Sequence, residues 1–260
     1  MRLPLEAGDR TLLMVAGVVI VVTTLLAALL MPRSEESQSV GYPSSFSTAS
    51  DGGKAAYLLL DELGYGVERW TNPPGQLPDP AKGVVLVIAD PSPGVTFEEK
   101  QQVEQFVRRG GRALFTGAAA SSLLPATGMT SPRKPSFGWE DFTRQTPGPI
   151  SRFAPSISMK SMIRWGRRFP DHVPYYGDDQ GAVVVKSRLG DGEIIWWADS
   201  SPLTNYGLTR ASNLSLFLNS LGPSQETRVL WDEYFHGMRA GFWDYLGRTP
   251  IPWALAQAGL

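Results

Sequence analysis

The sequence predicts an α/β domain with an open, mainly parallel sheet, carried behind an N-terminal transmembrane helix. Three observations lead there. Residues 12–31, LLMVAGVVIVVTTLLAALLM, carry no charge, and at about 1.5 Å rise per residue one helix of that length crosses a hydrocarbon core of roughly 30 Å. Residues 83–90, GVVLVIAD, form an unbroken β-branched and aliphatic run ended by Asp-Pro, the pattern of a strand buried on both faces of a parallel sheet. Residues 96–116 then read as a capped amphipathic helix followed by a second strand, which completes a βαβ unit with a right-handed crossover.

The apolar run reads as an uncleaved anchor. A signal peptide has an apolar core of about 7–15 residues and ends at a small-x-small site, whereas this run is longer and continues as Leu-Leu-Met-Pro-Arg. Arg2, Arg10 and the terminal amine precede it, with Glu6 and Asp9 among them, and Arg33 after it is answered at once by Glu35 and Glu36. The positive-inside bias therefore places a short tail, 1–11, in the cytoplasm and the domain on the far side of the membrane.

Composition narrows the chemistry. The 260 residues leave one domain of ordinary size beyond the anchor. The chain contains no cysteine, which removes disulfides, a thiolate nucleophile, Cys-based metal sites and a lipoprotein anchor. Net charge is −1 with Lys and Arg scattered, so there is no electrostatic footprint for nucleic acid.

Residues 32–50 are rich in Ser and small polar residues with Gly41 and Pro43, and read as a tether. The domain spans 51–237. It starts with a helix over 54–63, where Ala55, Leu58, Leu59 and Glu62 recur at helical spacing before Gly64. A short strand at 65–70 is broken by Asn-Pro-Pro-Gly. Thr96 with Glu99 forms a capping box for the next helix, on which Phe97, Val103, Phe106 and Val107 share a face until Gly110-Gly111. The strand 112–116 follows.

Residues 117–176 show no clean period and read as an insertion with irregular strands. Residues 182–188 and 193–198 flank Leu-Gly-Asp-Gly as a β-hairpin. Residues 211–221 are helical in period, and 228–231 form a last strand. In the tail, 238–260, Phe242, Trp243, Tyr245 and Trp253 crowd together as at a membrane interface. That segment either packs on the domain or begins a second transmembrane helix.

Asp232, Glu233 and His236 place two carboxylates and an imidazole within one turn, on one face if the segment is helical. They could ligate a divalent metal or act as general base and orienter. They could equally pair backbone groups after the last strand. His172 is the only other histidine, and it lies in the poorly patterned insertion. Asp199, Ser200, Ser201, Thr204 and Asn205 follow a strand and could line a ligand crevice at its carboxyl end, or serve as turn and capping residues around Pro202. Gly52-Gly53 before a helix could offer amides to an anion or form only a turn. The basic stretch 164–169, RWGRRF, could meet anionic headgroups or a carboxylate, or be a solvated loop.

Residues 47–69 (STASDGGKAAYLLLDELGYGVER), 198–205 (ADSSPLTN) and 232–237 (DEYFHG), in that order, resemble the bacterial membrane proteins of domain-of-unknown-function family 4350, over roughly 44–237. The resemblance implies a flavodoxin-like, class I glutamine-amidotransferase-like domain held by an N-terminal and often a C-terminal membrane helix. It also implies assembly partners including a MoxR-type ATPase, and no cofactor. True amidotransferases of this fold carry a cysteine on a tight strand-to-helix turn, where this chain reads Phe115-Thr116-Gly117-Ala118-Ala119-Ala120. Without a nucleophile glutaminase chemistry is excluded. The expected function is a membrane-anchored, non-enzymatic interaction or ligand-sensing domain. The rival is a metal-assisted hydrolase using Asp232, Glu233 and His236.

Overall fold

In the computed structural model, residues 17–19, 21–22, 41–92, 94–123, 129–130, 137–166 and 172–237 are described. The N-terminal tail and the aromatic segment 238–260 lie outside them. Of the apolar run only 17–19 and 21–22 fall inside, and these are helical. No helix among the described residues is long and apolar enough to cross a membrane.

Among the described residues eleven strands form one mixed sheet. β1 (Gly66–Trp70), β11 (Arg228–Asp232), β2 (Val84–Ala89), β3 (Arg112–Thr116) and β10 (Gly192–Trp197) lie side by side and are mutually parallel. The chain then reverses. β9 (Ala182–Leu189) pairs antiparallel with β10, and β8 (Val173–Gly177), β5 (Glu140–Arg144) and β6 (Ser156–Met159) continue antiparallel to the far edge. β4 (Met129–Thr130) pairs with β7 (Arg164–Trp165), which joins β9. With four parallel pairings against six antiparallel ones, the expected mainly parallel sheet is corrected to a mixed one. The physical cause is the 189–192 hairpin: a two-strand turn can only reverse direction, and every strand added beyond β9 inherits the reversal.

The expected insertion is therefore largely sheet. Its strands are two to five residues long and β8 is bulged at Pro174 and Tyr176, so no period survives long enough to read in sequence.

The three helices are α1 (Lys54–Glu62), α2 (Phe97–Arg108) and α3 (Asn213–Leu221). Phe217 of α3 meets Trp197 and Trp231 edge-on at 6.4 and 6.1 Å, and Tyr57 of α1 meets Trp231 at 6.3 Å, so α1 and α3 cover one face of the parallel half. All six residues of β2 are buried, as its unbroken apolar run requires. The capping box of α2 is formed: Thr96 Oγ1 accepts from the Glu99 N–H at 3.2 Å, and Glu99 Oε2 accepts from the Thr96 N–H at 2.7 Å.

Two helix faces differ from expectation. In α2, Val103, Phe106 and Val107 are fully buried but Phe97, in the first turn, is 74% exposed. In α1 the buried positions are Ala56 and Leu60, while Leu58 points outward.

Candidate functional site

The parallel strands end together. β2 runs out at Asp90, β3 at Gly117, β10 at Asp199 and β11 at Asp232, and ligands of open α/β sheets bind beyond such carboxyl ends. Three stretches meet there: the entering segment 42–53, the loop 199–205 and the turn 232–237. The expected tether thus ends early, because Ser44, Ser45 and Ser47 are buried in the domain.

Glu233 and His236 form the centre of this end. The segment is a turn after β11, not a helix, yet His236 Nδ1 donates to Glu233 Oε2 at 2.9 Å across three residues. Glu233, fully buried, also accepts from the Ser45 N–H (2.5 Å), Ser45 Oγ (2.6 Å) and Ser44 Oγ (3.1 Å). His236 Nε2 donates to the Ala89 carbonyl at 2.5 Å. A carbonyl oxygen only accepts, and an ionised carboxylate only accepts, so both ring nitrogens carry protons and His236 is an imidazolium. Burial pushes its pKa down, but the hydrogen bond and charge of Glu233 outweigh this and hold it above the ordinary value. Tyr42 stacks on the ring at 4.2 Å and its hydroxyl donates to the His236 carbonyl at 3.2 Å.

Around this pair, Arg69 donates through Nε to Ser45 Oγ at 3.0 Å and lies between the rings of Phe46 and Tyr57, 4.4 and 4.2 Å from their centroids. Asp232 is buried beside it. Its carboxyl is pushed up to about 7, chiefly by burial, against the opposing charge of His236 and the Phe235 N–H that donates to it at 3.2 Å. Neither nitrogen of His236 leaves a lone pair for a metal. Among the described residues no group of three His, Cys, Asp or Glu side chains is placed to hold one.

Asn205 ties the loop after β10 to the start of α1. Its Oδ1 accepts from the Ala55 N–H at 2.7 Å, a first-turn donor with no partner inside the helix. Its Nδ2 donates to the carbonyls of Ser47 (3.0 Å) and Ala49 (2.6 Å), and its own N–H donates to the Gly52 carbonyl at 2.6 Å. The amides of Gly52 and Gly53 donate to the carbonyls of Ala49 and Ser44, so both are engaged inside the loop and not directed at an anion. Gly53 is glycine for want of space: a Cβ would lie 2.6 Å from the Pro43 carbonyl oxygen and 2.8 Å from Trp231.

The remaining candidates cluster about Asp90, which sequence reading took only as the end of a strand. Asp90 has φ 54°, a left-handed conformation costly for a residue with a Cβ. Ser200 Oγ approaches its carboxylate at 3.4 Å. Burial raises the Asp90 pKa, and the nearby Asp199 raises it further. Asp199 is itself raised by burial, against the Ser201 N–H that donates to it at 2.8 Å and the charge of Lys160. Ser201 Oγ accepts from the Lys160 N–H at 2.9 Å, and Thr204 Oγ1 donates to the Ser201 carbonyl at 2.7 Å. Gly117 holds φ 82° with its α-carbon against Asp90, where a Cβ would be 2.5 Å from the carboxylate. The alanines after it offer no nucleophile.

The basic stretch divides. Arg164 is 1% exposed and ion-paired with Glu140 and Asp178 at 3.1 and 3.2 Å, which withdraws it from any surface role. Arg167, Arg168 and Phe169 lie outside the described residues.

Sequence reading missed Tyr42, Ser44, Ser45, Arg69 and Asp90. Only Asp90 had a local signal, an Asp-Pro at the carboxyl end of a buried strand.

No curated protein matches the chain. Among solved structures it is similar to an exo-β-1,4-mannosidase of an Opitutaceae bacterium, at 13% identity and TM-score 0.35, over 52% of this chain and 24% of that one. A cytoplasmic protein of Salmonella typhimurium LT2 aligns at 10% identity and TM-score 0.38, over 52% of this chain and 69% of that one. A β-galactosidase of Bacillus circulans aligns at 15% and 0.31, over 51% and 22%. The chain thus spans about a quarter of the mannosidase and about a fifth of the galactosidase. At these scores none of the three bears on activity. A family model does match, over residues 45–221, more than half of the chain, and the chain therefore belongs to the family described as a domain of unknown function, DUF4350.

Proposed function

We propose that this chain is a membrane-anchored, non-enzymatic interaction domain, with residues 12–31 as the anchor and the domain on the extracytoplasmic side. The observation that carries the reading is the commitment of Glu233 and His236: every hydrogen-bonding atom of the pair holds the entering segment or the end of β2. A general base needs a lone pair facing substrate and a metal site needs ligands facing the ion. Neither is left over. The parallel half, β1 to β10, with alanines where an amidotransferase would carry its nucleophile, supports a glutamine-amidotransferase-like build that has no glutaminase chemistry. A MoxR-type ATPase system is the proposed assembly partner, on the strength of the motif resemblance. Asp90, Asp199 and Ser200 are the side chains through which such a domain would sense a ligand.

Elemental analysis of the full-length chain tests the first claim. Metal content is expected to be nil in wild type and in Glu233→Ala and His236→Ala. Near-stoichiometric zinc or manganese, lost by both variants while they stay folded, would make the chain a metal-assisted hydrolase instead. Reporter fusions after Leu221 test placement and are expected to be active only as an exported enzyme. Cross-linking in native membranes tests the ATPase partnership.

A further inference from the structure

The end of the domain that receives the chain from residues 12–31 also carries an exposed aromatic and basic patch. Trp139 precedes β5 and Lys160 follows β6, so the antiparallel pairing sets them together, with the Lys160 ammonium 5.3 Å from the Trp139 ring. Arg210 lies over the same ring at 4.6 Å and over Tyr206 at 5.5 Å, and donates to the Tyr206 hydroxyl at 3.1 Å. Tyr206 is 55% exposed. Where the two strands run on, Phe137 is 82% exposed and Met162 38% exposed. The patch thus presents two cations among three aromatic rings and a thioether. Asp199 is the carboxylate that faces Lys160, from inside its loop.

Its position is fixed by the entering segment. The Tyr206 N–H donates to the Ser50 carbonyl at 3.0 Å, and Asn205 beside it holds Ser47 and Ala49. From Met31 to Tyr42 the chain advances eleven residues, at most roughly 40 Å when fully extended. A domain on so short a lead from an anchor must keep this pole near the bilayer.

We infer that the surface formed by Phe137, Trp139, Lys160, Met162, Tyr206 and Arg210 rests on an anionic bilayer, an inference that depends on the anchoring proposed above. Tyr and Trp favour the headgroup level because one end of the ring is apolar and the other polar. Lys and Arg there gain from anionic headgroups, about fivefold in association for each cation. Charge complementarity and the short lead together favour lipid over a soluble partner.

The absence of cysteine makes the test clean. Single cysteines replace Phe137 in the patch and Lys82, exposed beside the amino end of β2, in the full-length chain; each is labelled with a fluorophore and the protein is reconstituted into liposomes carrying a headgroup nitroxide quencher. In phosphatidylcholine with about one third phosphatidylglycerol, the probe at 137 is expected to be strongly quenched and the probe at 82 not. Adding K160Q and R210Q, or using phosphatidylcholine alone, is expected to release the quenching, with a loss of roughly twentyfold in the docking equilibrium for the double change. If the chain floats with the liposomes but 137 is quenched no more than 82, the patch does not rest on lipid although the anchor stands. If the chain does not float, the anchoring and this inference fall together. Quenching that persists in phosphatidylcholine and in the double variant would overturn the anionic recognition. Protection of 137 from aqueous thiol reagents without lipid quenching, in native membranes, would assign the patch to a protein partner and overturn the inference.

Discussion

Replacing Glu233 by alanine removes an acceptor shared by four donors, namely Ser44 Oγ, the Ser45 N–H, Ser45 Oγ and His236 Nδ1. The largest consequence is electrostatic, because an imidazolium 7% exposed loses its counter-charge, and removing one partner of a buried ion pair costs about 3–5 kcal/mol. His236 can relieve part of this by losing a proton, but the serine donors remain without their acceptor. For a domain of this size each kcal/mol lowers Tm by about 2–4 °C, so the expected fall is roughly 10 °C. Thermal unfolding of the full-length chain in detergent, followed by the fluorescence of its eight tryptophans, reads this directly. Glu233→Gln is the discriminating control. Its amide oxygen still accepts from Ser45, and its amide NH2 donates to a neutral His236 that keeps its Nε2 proton on Ala89. It is expected to recover more than half of the lost Tm at pH 8 and less at pH 6. A Glu233→Ala chain melting within about 2 °C of wild type, or Glu233→Gln indistinguishable from Glu233→Ala at every pH, would refute the account of the pair.

The pH dependence of the wild type follows from the same groups. The folded state binds a proton at Asp232 from 3.8 up to about 7, where the unfolded chain does not, and His236 holds its proton above the ordinary range. Stability therefore falls as pH rises through that window, by about 4 kcal/mol for Asp232 if its whole shift is realised. Tm is expected to decline from pH 5 to 8, and Asp232→Asn to flatten the decline; a Tm that rises over this range would contradict it. Gly53→Ala places a Cβ against Pro43 and Trp231 and should cost about 1–3 kcal/mol, seen as a lower denaturant midpoint at unchanged slope. Val85→Asp buries a charge in β2, where Val85 is 3% exposed, and should cost several kcal/mol and leave insoluble protein; a soluble, normally melting variant would move β2 out of the core.

What could be read from the sequence was what contiguous residues encode. The apolar run 84–89, the Thr96–Glu99 cap and the strand 112–116 each carry their signal within a few residues, and each stands where it was expected. The 189–192 hairpin was legible for the same reason. The mixed character of the sheet was not, because strands as short as β4 and β7 hold no period and their partners lie far along the chain. Face assignments failed where a helix overhangs its sheet: spacing marks Phe97 as apolar, and only the position of its turn decides that nothing covers it.

The site divides in the same way. Sequence named Asp232, Glu233 and His236 as groups able to do chemistry and left two readings open. Their roles depend on Ser45, 188 residues away from Glu233, and on Ala89, 147 away from His236. Residue type determines which bonds a side chain can make. Only the tertiary structure, by bringing serine donors and a carbonyl from distant segments to the same buried point, decided that those bonds are made within the fold.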